Sequence, residues 1–145
     1  MLDNNFMKKY KIGYTAGVFD LFHIGHLNLL RNAKKYCDYL MVGVNCDNLV
    51  KTYKNKTPII NESDRLEIVN SIKCVDEAFI VDTLDKVAIL KNHKFDVVFI
   101  GSDWKGNERW NQTEIELAKF GVDVVYLPHT SGISSSVINS KIKNK

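Results

Sequence analysis

The apolar residues of this chain fall in short blocks of two alternating kinds. "YKIGYTAG" (Tyr10–Gly17), "YLMVGVN" (Tyr39–Asn45), "DEAFIVD" (Asp76–Asp82), "FDVVFIG" (Phe95–Gly101) and "VDVVYLP" (Val122–Pro128) are compact runs rich in β-branched and aromatic residues. They read as strands. The middle runs are nearly continuous in apolar character, as in strands buried on both faces. Between them lie blocks with helical spacing. "HLNLLRNAKKYC" sets Leu27, Leu30, Ala33 and Cys37 along one stripe. "NESDRLEIVNSIK" opens with Asn61 in an N-cap position and Asp64 three residues later. "LDKVAILKNH" and "RWNQTEIELAKFG" are also helical, the second stopping at Gly121. "LVKTYKNKTPII" is polar and lysine-rich and reads as a loop. "SGISSSVINSKIKNK" begins with small polar residues and turns into a short basic helix.

Five strands alternating with helices predict an α/β fold: a single domain with a five-stranded parallel sheet, helices on both faces and right-handed crossovers. The domain spans residues 10–145, after an arm of residues 1–9. In such sheets ligands bind beyond the carboxyl ends of the strands, where the strand order reverses. "AGVFDLFHIGH", "NCDNLVKTYKNK", "GSDWKG" and "PHTSGISSS" all follow strands, so most of the unusual residues gather on one rim.

Composition narrows the picture only a little. The chain has 145 residues, 45% hydrophobic and 26% charged, with a net charge of +3. That suits one soluble domain. The charge is too small to argue for a nucleic-acid partner, and it does not oppose an anionic substrate. Cys37, Cys46 and Cys74 are odd in number and have no metal-ligand spacing, so they read as reduced thiols of a cytoplasmic protein. No run approaches the roughly 18 apolar residues of a membrane span, so no membrane partner is expected. The opening "MLDNNFMKKY" lacks a signal-peptide core.

The chemistry concentrates in "GVFDLFHIGHLNLL" (Gly17–Leu30). Gly17 lets the backbone turn sharply out of the first strand. His23 precedes the helix, His26 lies in its first turn, and Gly25 between them leaves the backbone open. First-turn amides lack intrahelical partners and the macrodipole is positive there, which makes a phosphate-binding end. A lone histidine at a helix start is usually only a cap. Two flanking a glycine after "FD" point to a phosphate gripped by imidazole donors. "SGISSS" repeats that logic with Gly132 and three hydroxyls; caps alone would also use those serines.

"GVFDLFHIGH" resembles the G-x-F-D-x-x-H-x-G-H signature of the nucleotidyltransferase superfamily. Together with "DRLEIV", "VDEA", "GSDWKG" and "YLPHTSGISSS", in that order, the chain resembles the bacterial glycerol-3-phosphate cytidylyltransferases over nearly its whole length. The resemblance implies a Rossmann-like domain that transfers CMP from CTP to a small phosphorylated alcohol, foremost glycerol 3-phosphate, releasing pyrophosphate. It implies magnesium brought in with the nucleotide, no metal-ligand set in the chain itself, and a homodimer. It also implies roles. His23 and His26 would bind the triphosphate and stabilise the transition state, and Arg65 and Lys54 would act on phosphate beside them. Gly17, Val18, Phe19, Asp20, Gly25 and Lys51 would form the nucleotide loop and neutralise charge. Asp103 and Trp104 would border the base and acceptor pocket, and Gly132, Ile133, Ser134 and Ser135 would meet the triphosphate.

Two departures stand out. His129 occupies the place of a family arginine, which alters how an acceptor phosphate could be held. Val18 stands where relatives often carry threonine. The cytidine preference rests on the resemblance alone. Alternatives are an adenylyltransferase, a cytidylyltransferase with a phospho-sugar or phosphocholine acceptor, and a nucleotide-binding regulator without catalysis. A nucleic-acid module has only the tail "KIKNK" in its favour.

Overall fold

The side chains of strand β2 (Cys37–Asn45), next to the centre of the sheet, explain the layering. Leu40, Val42 and Val44 point to one face, where they join Leu30 and Ala33 of helix α1 (Ile24–Lys34) and Val69 of helix α3 (Glu62–Asn70) in one core. Met41 points to the other, joining Ile89 of helix α4 (Lys86–Asn92) and Trp110 and Leu117 of helix α5 (Glu108–Ala118). Period-2 alternation in a strand with two apolar faces therefore builds two cores with one sheet between them.

The computed structural model describes residues 9–128 together with Ile138, Lys141 and Ile142. The elements are β1 (Tyr10–Gly17), α1 (Ile24–Lys34), β2 (Cys37–Asn45), α2 (Asp47–Lys54), α3 (Glu62–Asn70), β3 (Glu77–Val81), α4 (Lys86–Asn92), β4 (Val97–Gly101), α5 (Glu108–Ala118) and β5 (Asp123–Leu127). The five strands form one sheet in the order β3-β2-β1-β4-β5, and every neighbouring pair is parallel. The expected α/β architecture is present. Residues 1–8 of the expected arm, and most of the final segment, lie outside the described residues. Among the described residues no helix is long and apolar enough to cross a membrane.

Two boundaries differ from the sequence reading. The segment expected as a loop, Leu49–Ile60, holds the greater part of α2. Cys46 Sγ accepts from the Leu49 amide (3.4 Å) at its start, and Asn55 ends it in the left-handed conformation (φ 56°). Val50 is its only buried residue, too few to produce a periodic apolar signal. Cys37, read as the end of the first helical stripe, instead begins β2, paired with Tyr10. Its burial suits either element, and ladder pairing with β1 decides between them.

Glycines set the fit of β1 against its neighbours. A Cβ on Gly13 would lie 2.4 Å from the Phe99 ring, and one on Gly43 2.2 Å from Tyr14 Oη.

Candidate active site

The strand order reverses between β1 and β4, whose crossovers leave to opposite sides. Only Gly13–Val97 and Tyr14–Val98 are in register there. Beyond them the strands part, and Thr15 Oγ1 takes up the Phe99 carbonyl (2.9 Å). That hydroxyl satisfies a buried acceptor the ladder abandons. The crevice at the carboxyl ends is thus opened by the sheet itself.

The chain leaves β1 through a strained loop. Phe19 (φ 55°) and Leu21 (φ 51°) both adopt the left-handed conformation without being glycine. Such residues persist only where surroundings over-determine them, and they cluster at functional sites. Asp20 supplies part of that constraint. Its carboxylate accepts from the amides of Leu21, Ile59 and Ile60 at 2.8–3.1 Å, counting both oxygens and the neighbouring Ile59 bond.

This loop delivers His23 and His26 as a reciprocal cap. The Gly25 amide donates to His23 Nδ1 (3.0 Å), and the His23 amide donates to His26 Nδ1 (3.2 Å). The rings stack with centroids 3.9 Å apart. A neutral imidazole that accepts at Nδ1 carries its proton on Nε2, so both rings offer Nε2–H as a donor. His23 Nε2 is buried and has no hydrogen-bond partner among the described residues. Burial lowers the pKa of His23. His26 is lowered to about 4 by burial, then by His23, against a smaller opposing effect of Asp20. Both rings are therefore neutral at pH 7, as close stacking requires. Phe19 packs edge-on against His26 (5.5 Å) and fixes its plane. Gly25, expected to leave the backbone open to an anion, has its amide engaged by His23.

Two cavities meet at this point. The first, about 230 Å³, is walled by Gly17, Val18, Phe19, Asp20, His26 and two lysines, Lys54 and Lys56. Five of the expected residues are thereby brought together around His26. Lys51 is exposed on α2 and lines neither cavity; Lys56 stands where Lys51 was expected. Burial and the neighbouring Lys56 lower the pKa of Lys54, with Asp20 opposing.

Arg65 requires a correction. It was expected on phosphate, yet it is fully buried. Its Nε donates to the Ile60 carbonyl (2.8 Å). Its Nη1 donates to the carbonyls of Val18 (2.7 Å) and Asn45 (2.8 Å), and its Nη2 pairs with Asp47 Oδ1 (2.6 Å). A guanidinium so committed cannot reach a ligand. It ties the exit of β1 to the end of β2, to α2 and to the residues before α3.

The second cavity, about 400 Å³, shares Gly17, Val18 and Lys54 with the first and runs to Phe99, Trp104 and Trp110. Trp104, expected to border a base and acceptor pocket, lines this cavity; Asp103 is exposed and outside the wall. Four further polar residues line it that the sequence did not single out: Asn45, Tyr53, Lys86 and Arg109. Lys86 is 8% exposed. Its ammonium donates to the Leu84 carbonyl (3.1 Å) and lies 5.4 Å from the Trp110 ring centre. Burial lowers its pKa to about 8, helped by Arg109 and opposed by Asp85. A lysine at a helix start looks solvent-facing in sequence, and only the crossover of α4 onto the sheet reveals it as a buried cation. Gly132, Ile133, Ser134, Ser135 and His129 lie outside the described residues. Among the described residues no three His, Cys, Asp or Glu side chains form a metal-holding group.

The bend out of β1 is made by Phe19 and Leu21, not by Gly17, which stays in the strand; with the stacked imidazoles and the cation-lined crevice at the switch point it makes a site suited to a phosphorylated ligand. The model of the cytidylyltransferase-like family matches residues 14–141. The chain belongs to that family. This cytidylyltransferase-like chain is 36% identical over 125 residues to the glycerol-3-phosphate cytidylyltransferase of Bacillus spizizenii, covering 86% of this chain and 91% of that protein. It is 33% identical over 138 residues to the bifunctional protein HldE of Helicobacter pylori, covering 94% of this chain. It spans only 29% of that relative's length. Among solved structures, the lipopolysaccharide core biosynthesis protein from Thermoplasma volcanium superposes with a TM-score of 0.72 at 30% identity, over 84% of this chain and 99% of that one. Pantoate-beta-alanine ligase from Francisella tularensis, at 16% identity and a TM-score of 0.58, shares the fold.

Proposed function

We propose that this chain transfers a cytidylyl group from CTP to a small phosphorylated alcohol, with glycerol 3-phosphate the first acceptor to test. One observation carries the proposal: two cavities meet at Gly17, Val18 and Lys54, with His26 lining one, His23 stacked against it outside the wall, and Lys86 and Arg109 in the other. The triphosphate sits in the first, with Nε2–H groups and Lys54 on its oxygens. The acceptor phosphate sits in the second. One of its oxygens attacks the α-phosphorus in line. A new P–O bond forms there as the bond to the β-phosphate bridging oxygen breaks, and pyrophosphate leaves. Catalysis by positioning and charge stabilisation needs no covalent enzyme intermediate.

Magnesium belongs to this reading as the triphosphate's companion, held by phosphate oxygens as is usual for that ion. Asp20, the carboxylate in the first cavity, is already committed to backbone amides, which fits a metal that arrives with its nucleotide. The ion supplies neutralisation of phosphate charge when bound. A cytoplasmic homodimer completes the proposal; three free cysteines suit that compartment.

A second reading is a phospho-sugar acceptor. HldE relatives favour it, as does the likeness to a lipopolysaccharide core biosynthesis protein. The test is incubation with CTP or ATP, magnesium and a panel of acceptor phosphates, following pyrophosphate. We expect CTP-dependent release with at least one polyol or sugar phosphate; none with any pair would refute the assignment. His26→Ala should fold yet lose about 10²–10³ in rate, as for removal of one preorganised donor. Near-normal turnover would contradict its role.

A further inference from the structure

We propose that Asn45 and Tyr53 together read a hydroxyl group on the acceptor, so that this chain takes a phosphorylated sugar or polyol and not a phosphorylated amino alcohol. The inference rests on the acceptor occupying the second cavity, as argued above. Asn45 stands at the end of β2, on the face shared with Met41 and Gly43, and is 4% exposed. Its backbone carbonyl is held by Arg65, so its place is fixed. Its Nδ2 donates to Tyr53 Oη (3.0 Å). Its Oδ1 is buried and has no partner among the described residues. Leaving a buried amide oxygen unpaired is costly. Tyr53 Oη, accepting from Asn45, keeps its own proton to donate. The pair thus offers one acceptor and one donor, side by side, on the wall of a cavity. An alcohol hydroxyl, which both donates and accepts, satisfies the two at once.

The remaining wall excludes the main competing acceptor class. Lys54, Lys86 and Arg109 line this cavity, and among the described residues no Asp or Glu does. An amino-alcohol phosphate brings a second, positive end into that field. Aromatic faces can hold a quaternary ammonium, but the Trp110 face already carries Lys86. A sugar or polyol phosphate brings an anion for the cations and hydroxyls for Asn45 and Tyr53, and leaves nothing repelled.

Ligand binding can be read without turnover, because Trp104 and Trp110, the chain's two tryptophans, both line the cavity. Their fluorescence should be titrated with glycerol 3-phosphate, a hexose 1-phosphate, propyl phosphate, phosphocholine and CTP. The native protein should bind one hydroxylated phosphate at least tenfold more tightly than propyl phosphate or phosphocholine; which of the two wins distinguishes polyol from sugar. Tyr53→Phe should weaken that ligand about 5–10-fold, the range of one neutral hydrogen bond, and leave propyl phosphate and CTP unchanged. Asn45→Ser should show the same selectivity in its loss. Equal weakening toward propyl phosphate, a loss that follows CTP instead, or a preference for phosphocholine would overturn the inference. Pyrophosphate release is assayed on the same samples. Its absence alongside selective binding would count against the transfer reaction while leaving the hydroxyl-reading pair standing.

Discussion

His26 shows how one residue can be both legible and misjudged in sequence. Its spacing from His23 announces the site, and a phosphate-facing imidazole is what the motif suggests. The spacing conceals that each ring's Nδ1 is spent on the other's neighbourhood, which sets the tautomer and leaves Nε2–H as the working donor. It also conceals the depressed pKa, which comes chiefly from burial. A pH dependence follows. His26 takes up its proton at about 6.5 when unfolded and about 4 when folded. Between those values the unfolded chain binds more protons, so stability falls as pH drops and is fully retained above the higher value. Urea denaturation from pH 4.5 to 7.5 should show this decline, and His26→Asn should flatten it. An unchanged slope in the variant would contradict the neutral, stacked pair.

At the scale of elements, periodicity identified the strands and most helices because each buries a continuous face. It failed at α2, which buries Val50 alone, with Asp47 and Leu49 half-buried and the rest exposed. That helix is held by its ends: Cys46 at the start, Asn55 in the left-handed conformation at the stop. Asparagine tolerates that conformation better than other residues with a side chain. Asn55→Ala should therefore cost about 1 kcal/mol in urea unfolding, and Asn55→Gly should cost nothing or stabilise. Because α2 carries Tyr53 and Lys54, the alanine variant should also weaken acceptor binding by the fluorescence titration. The lysines expected in that segment had no assignable facing while it read as a loop. Once it is a helix, Lys51 faces solvent and Lys54 faces the crevice.

The whole molecule decides what Arg65 does. Sequence placed it near phosphate, and it is indeed near the site, but it holds the site's frame from inside. It spans residues 18, 45, 47 and 60 with four polar contacts. Removing it strands three carbonyls and the Asp47 carboxylate, so Arg65→Ala should lose about 3–5 kcal/mol in denaturant unfolding. A loss within 0.5 kcal/mol would show that the frame holds without it. The sequence by itself determined the α/β class, the strand and helix faces, and the histidine motif at the first turn, because periodicity and local spacing are properties of neighbours along the chain. Tertiary structure alone decided that β1 and β4 part beyond two paired positions, that Lys86 is buried beside Trp110, and that Asn45 and Tyr53 meet. Those outcomes depend on the order in which strands lie side by side, and that order joins residues whose separation along the chain carries no local signal.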